Sequence, residues 1–390
     1  MSPRSLCANT KRNQNILKIS VFALILLILL QYYVMTTTEH RLRVLAIGLR
    51  NGNSLANLNA TAGTGSKSSR LKTPPFSVLR ENGSSVGTTL PLCPVVSPEL
   101  IGPIHVIKRG PAPWNWLERN LLVEKGGRYK PEGCTSRHRV AIIVPYRDRD
   151  DHLRLFLQNM HPFLMRQQLD YGIYIVEQAG RTAFNRAKLF NIGYAESIKD
   201  YDWQCFIFHD VDLVPEDDRN IYSCPDHPRH LSVAIDKFRY SLPYDDIFGG
   251  ASAISREMFE KVNGFSNVFF GWGGEDDDMS TRLRKHNLII TRYPERFARY
   301  RMLSHKAAVK NRERHSILTQ NLNHSHKDGI NSLDYKLKTK EQRPLYTRVL
   351  ADVISTKVED DTRWKDNPRL LQLVKEIGSV DLARAYLSSS

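Results

Sequence analysis

The chain has 390 residues, room for one large globular domain plus appendages. Its net charge of +15 and pI near 9.6 raise nucleic acid as a partner, but the basic residues are scattered rather than clustered, which argues against that class. Of five cysteines none forms a C-x-x-C pair, which argues against structural zinc.

Taken in chain order, the first feature is the apolar run from Ile16 to Met35, centred on Val21-Phe22-Ala23-Leu24-Ile25-Leu26-Leu27-Ile28-Leu29-Leu30. Roughly 20 helical residues cross a bilayer core of about 30 Å. Arg4, Lys11 and Arg12 precede the run and Lys18 lies at its start, with no acid among them, favouring a cytoplasmic N-terminus. The core is followed by Gln31-Tyr32-Tyr33-Val34-Met35 rather than small residues, so an uncleaved signal-anchor is expected instead of a cleaved signal peptide. This gives a tail over 1–15, an anchor over 16–35 and a lumenal remainder. Asn59-Ala60-Thr61, Asn82-Gly83-Ser84 and Asn323-His324-Ser325 are glycosylation acceptors, in keeping with the secretory pathway. Beyond the anchor lie Cys93, Cys134, Cys205 and Cys224, an even set with three possible pairings.

Residues 36–90 are rich in Thr, Asn, Ser and Gly and read as a flexible stem. The folded region, expected over 91–357, begins near Leu92-Cys93-Pro94. Val140-Ala141-Ile142-Ile143-Val144 is a β-branched run, a buried strand. Residues 151–168 place Leu153, Phe156, Leu157, Met160, Phe163 and Leu164 at helical spacing. Tyr171 to Val176 is a second strand, Phe184 to Ile198 a second helix, and Cys205-Phe206-Ile207-Phe208 a third strand. The alternation predicts an α/β fold with a mostly parallel central sheet and its ligand beyond the carboxyl ends of the strands. Residues 358–390 are expected to form a helical extension without chemistry.

The third strand empties into Asp210-Val211-Asp212. On an extended strand, residues two apart face the same side, so the two carboxylates are expected to converge on a hard divalent cation and, with it, a diphosphate. Downstream, Gly271-Trp272-Gly273-Gly274 precedes Glu275-Asp276-Asp277-Asp278. Four acids at the start of a helix suit its dipole, but crowding also raises a carboxyl's pKa toward that of a general base.

Six ordered segments carry a resemblance: Val144-Pro145-Tyr146-Arg147-Asp148-Arg149, Phe184-Asn185-Arg186-Ala187, Phe208-His209-Asp210-Val211-Asp212, Phe248-Gly249-Gly250, Gly271-Trp272-Gly273-Gly274-Glu275-Asp276-Asp277, and Asp328-Gly329-Ile330-Asn331-Ser332-Leu333. Together they resemble the β-1,4-galactosyltransferase family of Golgi type II enzymes, over about residues 90–353. The resemblance implies a Rossmann-like GT-A glycosyltransferase fold, inversion at the anomeric carbon, and disulfides Cys93–Cys134 and Cys205–Cys224. It implies that Pro145, Tyr146, Arg147, Arg149, Phe184, Arg186, Asp210 and Val211 hold the uridine and diphosphate. Lys237, Tyr244, Ile247, Trp272 and Gly273 would complete the sugar-nucleotide pocket. Asp212, Met302 and His305 would bind the metal; a thioether ligand disfavours Mg²⁺ and suits Mn²⁺. Asp276 would be the base, with Glu275 and Asp277 positioning the acceptor. Trp272, between glycines, would act as a lid, with residues 303–323 as its partner loop.

One departure bears on the donor. Galactose-transferring members carry Tyr immediately before Phe-Gly-Gly, where this chain has Ile247. The family's N-acetylgalactosamine-transferring invertebrate members carry Ile there, leaving room for an N-acetyl group. The expectation is therefore transfer of GalNAc from UDP-GalNAc, β1-4, to GlcNAc-terminated glycans at the Golgi membrane. The alternatives are a galactosyltransferase using UDP-Gal and a catalytically silent Golgi glycan-binding or scaffold protein. A second departure, over His315 to His326, leaves the acceptor open.

Overall fold

The computed structural model describes residues 90–353, apart from positions 307, 309 and 322, together with residues 368–377. The expected tail and anchor, the stem up to residue 89, and most of the C-terminal extension lie outside the described residues. Among those described, no helix is long and apolar enough to cross a membrane.

In chain order the elements are α1 (Trp114–Asn120), β1 (Arg128–Tyr129), β2 (Arg139–Tyr146), α2 (Asp150–Arg166), β3 (Asp170–Gln178), α3 (Arg186–Ser197), β4 (Cys205–His209) and β5 (Leu213–Pro215). There follow β6 (Arg229–His230), β7 (Ala234–Ile235), β8 (Ala251–Ser255), α4 (Arg256–Lys261), α5 (Glu275–Lys285), β9 (Thr291–Arg292) and β10 (Arg299–Met302). The last are α6 (Arg314–Asn321), β11 (Lys336–Gln342), β12 (Thr347–Asp352) and α7 (Pro368–Ile377).

A large sheet runs β11-β12-β3-β2-β4-β8-β6-β9, with β1 on the side of β3. β12, β3, β2 and β4 are mutually parallel, as the alternation predicts. The sheet as a whole is mixed, which corrects the mostly parallel expectation: β8 joins β4 antiparallel, and β11–β12 is an antiparallel hairpin. Parallel pairing needs a long crossover, which α2 and α3 supply; β8 comes in from loops and short strands, and only a tight turn separates β11 from β12.

Strand β2 is β-branched on both faces because both are covered. Val140, Ile142 and Val144 meet α2 through Leu153, Phe156, Met160 and Phe163. Ala141 and Ile143 meet α3 and α5 through Leu189, Phe190, Met279 and Leu283. The chain leaves β2 toward β3 and then crosses to β4 on the other side, opening a crevice at the carboxyl ends of β2 and β4. A second sheet, β5-β10-β7, stands beside it and brings β10 antiparallel to β5. Both disulfides implied by the resemblance are formed, Cys93–Cys134 and Cys205–Cys224.

Candidate active site

Several segments meet at the crevice. From the end of β2, Arg147 donates to the Thr182 carbonyl at 2.7 Å and lies 5.3 Å from the Phe184 ring centre. Burial lowers its guanidinium pKa from the ordinary value. Tyr146 accepts a hydrogen bond from the Arg149 N–H at 3.2 Å, closing the turn in which Asp148 adopts φ 51°. Pro145 lies opposite Val176, one position before the parallel pairing ends at Tyr146 beside Glu177.

The second segment is the start of α3. Asn185 caps it, its side chain accepting from Lys188 N–H at 2.8 Å, so Arg186 stands at the first helical position. Its guanidinium contacts Asp210 at 2.5 Å and Glu275 at 3.4 Å. Burial opposes its charge, but those carboxylates hold it above its ordinary value.

Asp210 and Asp212 take different ion-pair partners. β4 ends at His209, so the alternation of an extended strand no longer applies beyond it. Asp210 pairs with Arg186, whereas Asp212 Oδ2 takes Arg149 at 2.7 Å and His305 Nδ1 at 3.1 Å. Val211 between them is buried in the core on the α2 side.

The antiparallel β5–β10 register sets Met302 opposite Leu213, and the Leu303 N–H donates to the Asp212 carbonyl at 2.7 Å. Asp212, Met302 and His305 therefore gather at one edge of the small sheet. Burial, then Asp210, pushes the Asp212 carboxyl above its ordinary value; His305 and Arg149 oppose this. The set fits a divalent ion by its chemistry: carboxylate, imidazole and thioether together suit a borderline metal. Asp212 Oδ2 and His305 Nδ1 lie 3.1 Å apart, so the two side chains already face one another. Among the described residues, no group of three or more His, Cys, Asp or Glu side chains forms a metal cluster. The third candidate ligand, Met302, would offer a sulfur.

The acidic segment opens α5, with all four acids in its first turn. Gly274, at φ 98°, precedes it, and Gly273, at φ 101°, lies against Arg314 of α6. Burial first, then the charges of Glu275 and Asp277, push the Asp276 carboxyl up to about 7. That carboxylate rests on the backbone of Phe248-Gly249-Gly250: a Cβ added at Gly249 would lie 2.4 Å from Asp276 Oδ2. Glu275 Oε2 is buried without a hydrogen-bond partner. Asp277 accepts from the Tyr244 hydroxyl at 2.8 Å. Asp278, the fourth acid, faces away from the others, bonding Arg282 at 2.6 Å and Asn321 at 2.7 Å.

Trp272 is 52% exposed and pairs through its backbone with Lys310, its carbonyl accepting from Asn311 N–H at 3.1 Å. Ile247 is half-buried on the segment beside Tyr244. Lys237 stands exposed on the turn after β7, its ammonium 5.9 Å from the Phe238 ring centre. Sequence reasoning missed the contact of Gly249 with Asp276 and the pairing of Arg149 with Asp212. The paired glycines signalled the first; nothing in the sequence signalled the second.

Residues 93–225 match the N-terminal region of glycosyl transferase group 7, and residues 229–306 match the N-terminal domain of galactosyltransferase. The class so defined is a glycosyltransferase. The chain is 50% identical over 276 residues to beta-1,4-galactosyltransferase 3 of Cricetulus griseus, covering 70% of each chain. It is 46% identical over 269 residues to beta-1,4-galactosyltransferase 1 of Homo sapiens, covering 68% of each. It belongs to the β-1,4-galactosyltransferase family. Among solved structures, the catalytic domain of Drosophila beta1,4galactosyltransferase 7 in complex with xylobiose is 28% identical, with a TM-score of 0.48, covering 55% of this chain and 93% of that one. A single-substitution mutant of that enzyme, in complex with manganese, UDP-Gal and xylobiose, is 27% identical with a TM-score of 0.46, over 55% of this chain and 93% of that one.

Proposed function

We propose that this chain is an inverting, Mn²⁺-dependent glycosyltransferase of the Golgi membrane, single-pass type II, that moves galactose from UDP-Gal in β1-4 linkage to terminal GlcNAc of glycoprotein or glycolipid glycans. The names of its relatives at 46–50% identity favour galactose over the GalNAc expected from Ile247. The observation that carries the chemistry is Asp276, a carboxyl titrating near neutrality, held against Gly249 and flanked by Glu275 and Asp277.

In the reaction the acceptor hydroxyl attacks the anomeric carbon, the bond from that carbon to the diphosphate oxygen breaks, and its electron pair leaves with UDP. Asp276 takes the hydroxyl proton, so one base serves one in-line displacement. The unpartnered Glu275 Oε2 calls for an O–H donor, and a sugar hydroxyl is one. The Tyr244 hydroxyl fixes Asp277 for the acceptor. Arg147 and Arg186 hold the diphosphate at the carboxyl end of the sheet, with Pro145, Tyr146 and Phe184 lining the nucleotide side. Asp212, Met302 and His305 would hold Mn²⁺, whose charge offsets that building on the departing diphosphate. Trp272 covers the site and excludes water from the donor.

GalNAc remains a second reading because Ile247 stands where the family's galactose-transferring members have Tyr. The deciding experiment supplies UDP-Gal and UDP-GalNAc separately to the full chain in detergent, with free GlcNAc, with and without Mn²⁺. The galactose reading requires faster Mn²⁺-dependent turnover of UDP-Gal. Faster UDP-GalNAc transfer makes the second reading the right one, and turnover of neither donor sinks both. Ile247→Tyr should shift whichever ratio is found toward galactose.

A further inference from the structure

The segment that bears Ile247 and underlies Asp276 is held from behind by two side chains, Arg292 on β9 and His230 on β6. These strands pair in parallel with His230 opposite Arg292, so the two residues stand side by side behind the loop. Arg292 donates from Nη2 to the Asp245 carbonyl at 2.6 Å and to the Ile247 carbonyl at 2.9 Å. Its Nε–H meets His230 Nδ1 at 3.2 Å. A guanidinium has only donors, so His230 Nδ1 is the acceptor and the ring carries its proton on Nε2. That Nε2–H donates to the Gly249 carbonyl at 3.0 Å. Ser232 completes the arrangement, its hydroxyl reaching the same carbonyl at 3.1 Å while accepting from Ala251 N–H at 2.9 Å. His230 is fully buried, and burial together with Arg292 keeps the ring neutral.

One guanidinium thus fixes three alternate carbonyls of a single segment, those of residues 245, 247 and 249: two directly and the third through an imidazole. We propose that Arg292 is a positioning residue for donor-sugar selection, setting how far Ile247 projects toward the sugar, and that His230 separately sets Gly249 beneath Asp276. The inference rests on the transferase reading and deepens it. A lysine at 292 keeps the charge but not the planar fork, so it cannot grip two carbonyls and a ring nitrogen together. Removing the His230 ring nitrogens leaves the 245 and 247 carbonyls bound to Arg292, and Gly249 still has Ser232. The two substitutions therefore separate sugar choice from base placement.

The test uses the full chain in detergent with saturating GlcNAc and Mn²⁺. It measures kcat and KM for UDP-Gal and UDP-GalNAc, the inhibition constant of UDP alone, and Tm. Arg292→Lys is expected to shift the ratio of kcat/KM between the two donors by about tenfold, the scale of a displaced pocket contact. It should raise KM for the sugar nucleotides while leaving UDP inhibition unchanged. His230→Phe should lower kcat on the order of 10²-fold with the donor ratio intact, as for a base shifted by a fraction of an ångström. Arg292→Gln, planar but with a single amide, stands in if the lysine variant does not fold and should move the ratio in the same direction. An unchanged donor ratio in the folded variant, or UDP inhibition weakening in step with KM, overturns the inference whatever happens to Tm. Wild-type protein that turns over neither donor overturns the transferase reading and this inference with it.

Discussion

The protonation of Asp276 offers a test in both rate and stability. Its carboxyl titrates at about 7 in the fold against an ordinary 3.8, raised by burial and then by Glu275 and Asp277. A base must be ionised to act, so kcat/KM should fall about tenfold for each pH unit below 7 and level off above it. The stability sign is the reverse. Because the folded value is raised, the stabilising contribution of the protonated form is complete below pH 3.8 and is lost as pH rises to about 7. At about 1.4 kcal/mol per pH unit the loss has a ceiling of ~4 kcal/mol, and nearer ~2 kcal/mol once the screening of a partly exposed group is allowed for. Asp276→Asn removes that ionisation. It should match wild type in urea denaturation near pH 4 and exceed it by that margin near pH 8, while kcat falls by about 10²- to 10⁴-fold. Burial also raises the Glu275 carboxyl beside Asp276, so the midpoint belongs to that pair. A rate profile flat from about pH 5.5 to 8, or an Asn variant that keeps its rate, would refute the assignment.

Chelation should abolish turnover and added Mn²⁺ restore it, whereas Asp212→Asn should lose turnover that Mn²⁺ cannot restore at the wild-type concentration; UDP release at graded metal concentrations measures both. Gly249→Ala forces a methyl to within 2.4 Å of Asp276 Oδ2, so activity should drop at least tenfold with a near-native circular dichroism spectrum. Arg282→Met should cost about 3–5 kcal/mol in denaturant unfolding, since it removes the positive charge that Asp278 and Asp328 meet at 2.6 and 3.4 Å in a site where Arg282 is itself 1% exposed.

The elements that carry the crevice were legible because their residues are locally consistent. Val140 to Val144 can only be a covered strand, and the helix read over 151–168 is α2 to within two residues at its end. The helix from Phe184 begins at Arg186 because Asn185 takes the cap. What stayed illegible depends on partners far along the chain. Asp210 and Asp212 read as one paired site, but the turn after His209 sends them to different arginines, one from α3 and one from the end of β2. Asp278 read as one acid among four; only Asn321 and Arg282, 43 and 4 residues away, show that it anchors α5. β12 lies beside β3 across a sequence gap that no local pattern encodes.

The Cys205–Cys224 bond has a consequence for anyone preparing the enzyme. It closes a span of 19 residues that contains Asp210 and Asp212. In the chain-entropy account a loop of this size restrains the unfolded chain by about 3 kcal/mol. Material expressed in a bacterial cytosol, where glutathione keeps thiols reduced, lacks this staple across the crevice's acidic turn. A dead preparation from that source would report on the redox history of the sample rather than on the chemistry of its side chains, and periplasmic or insect-cell secretion is the route to an interpretable assay.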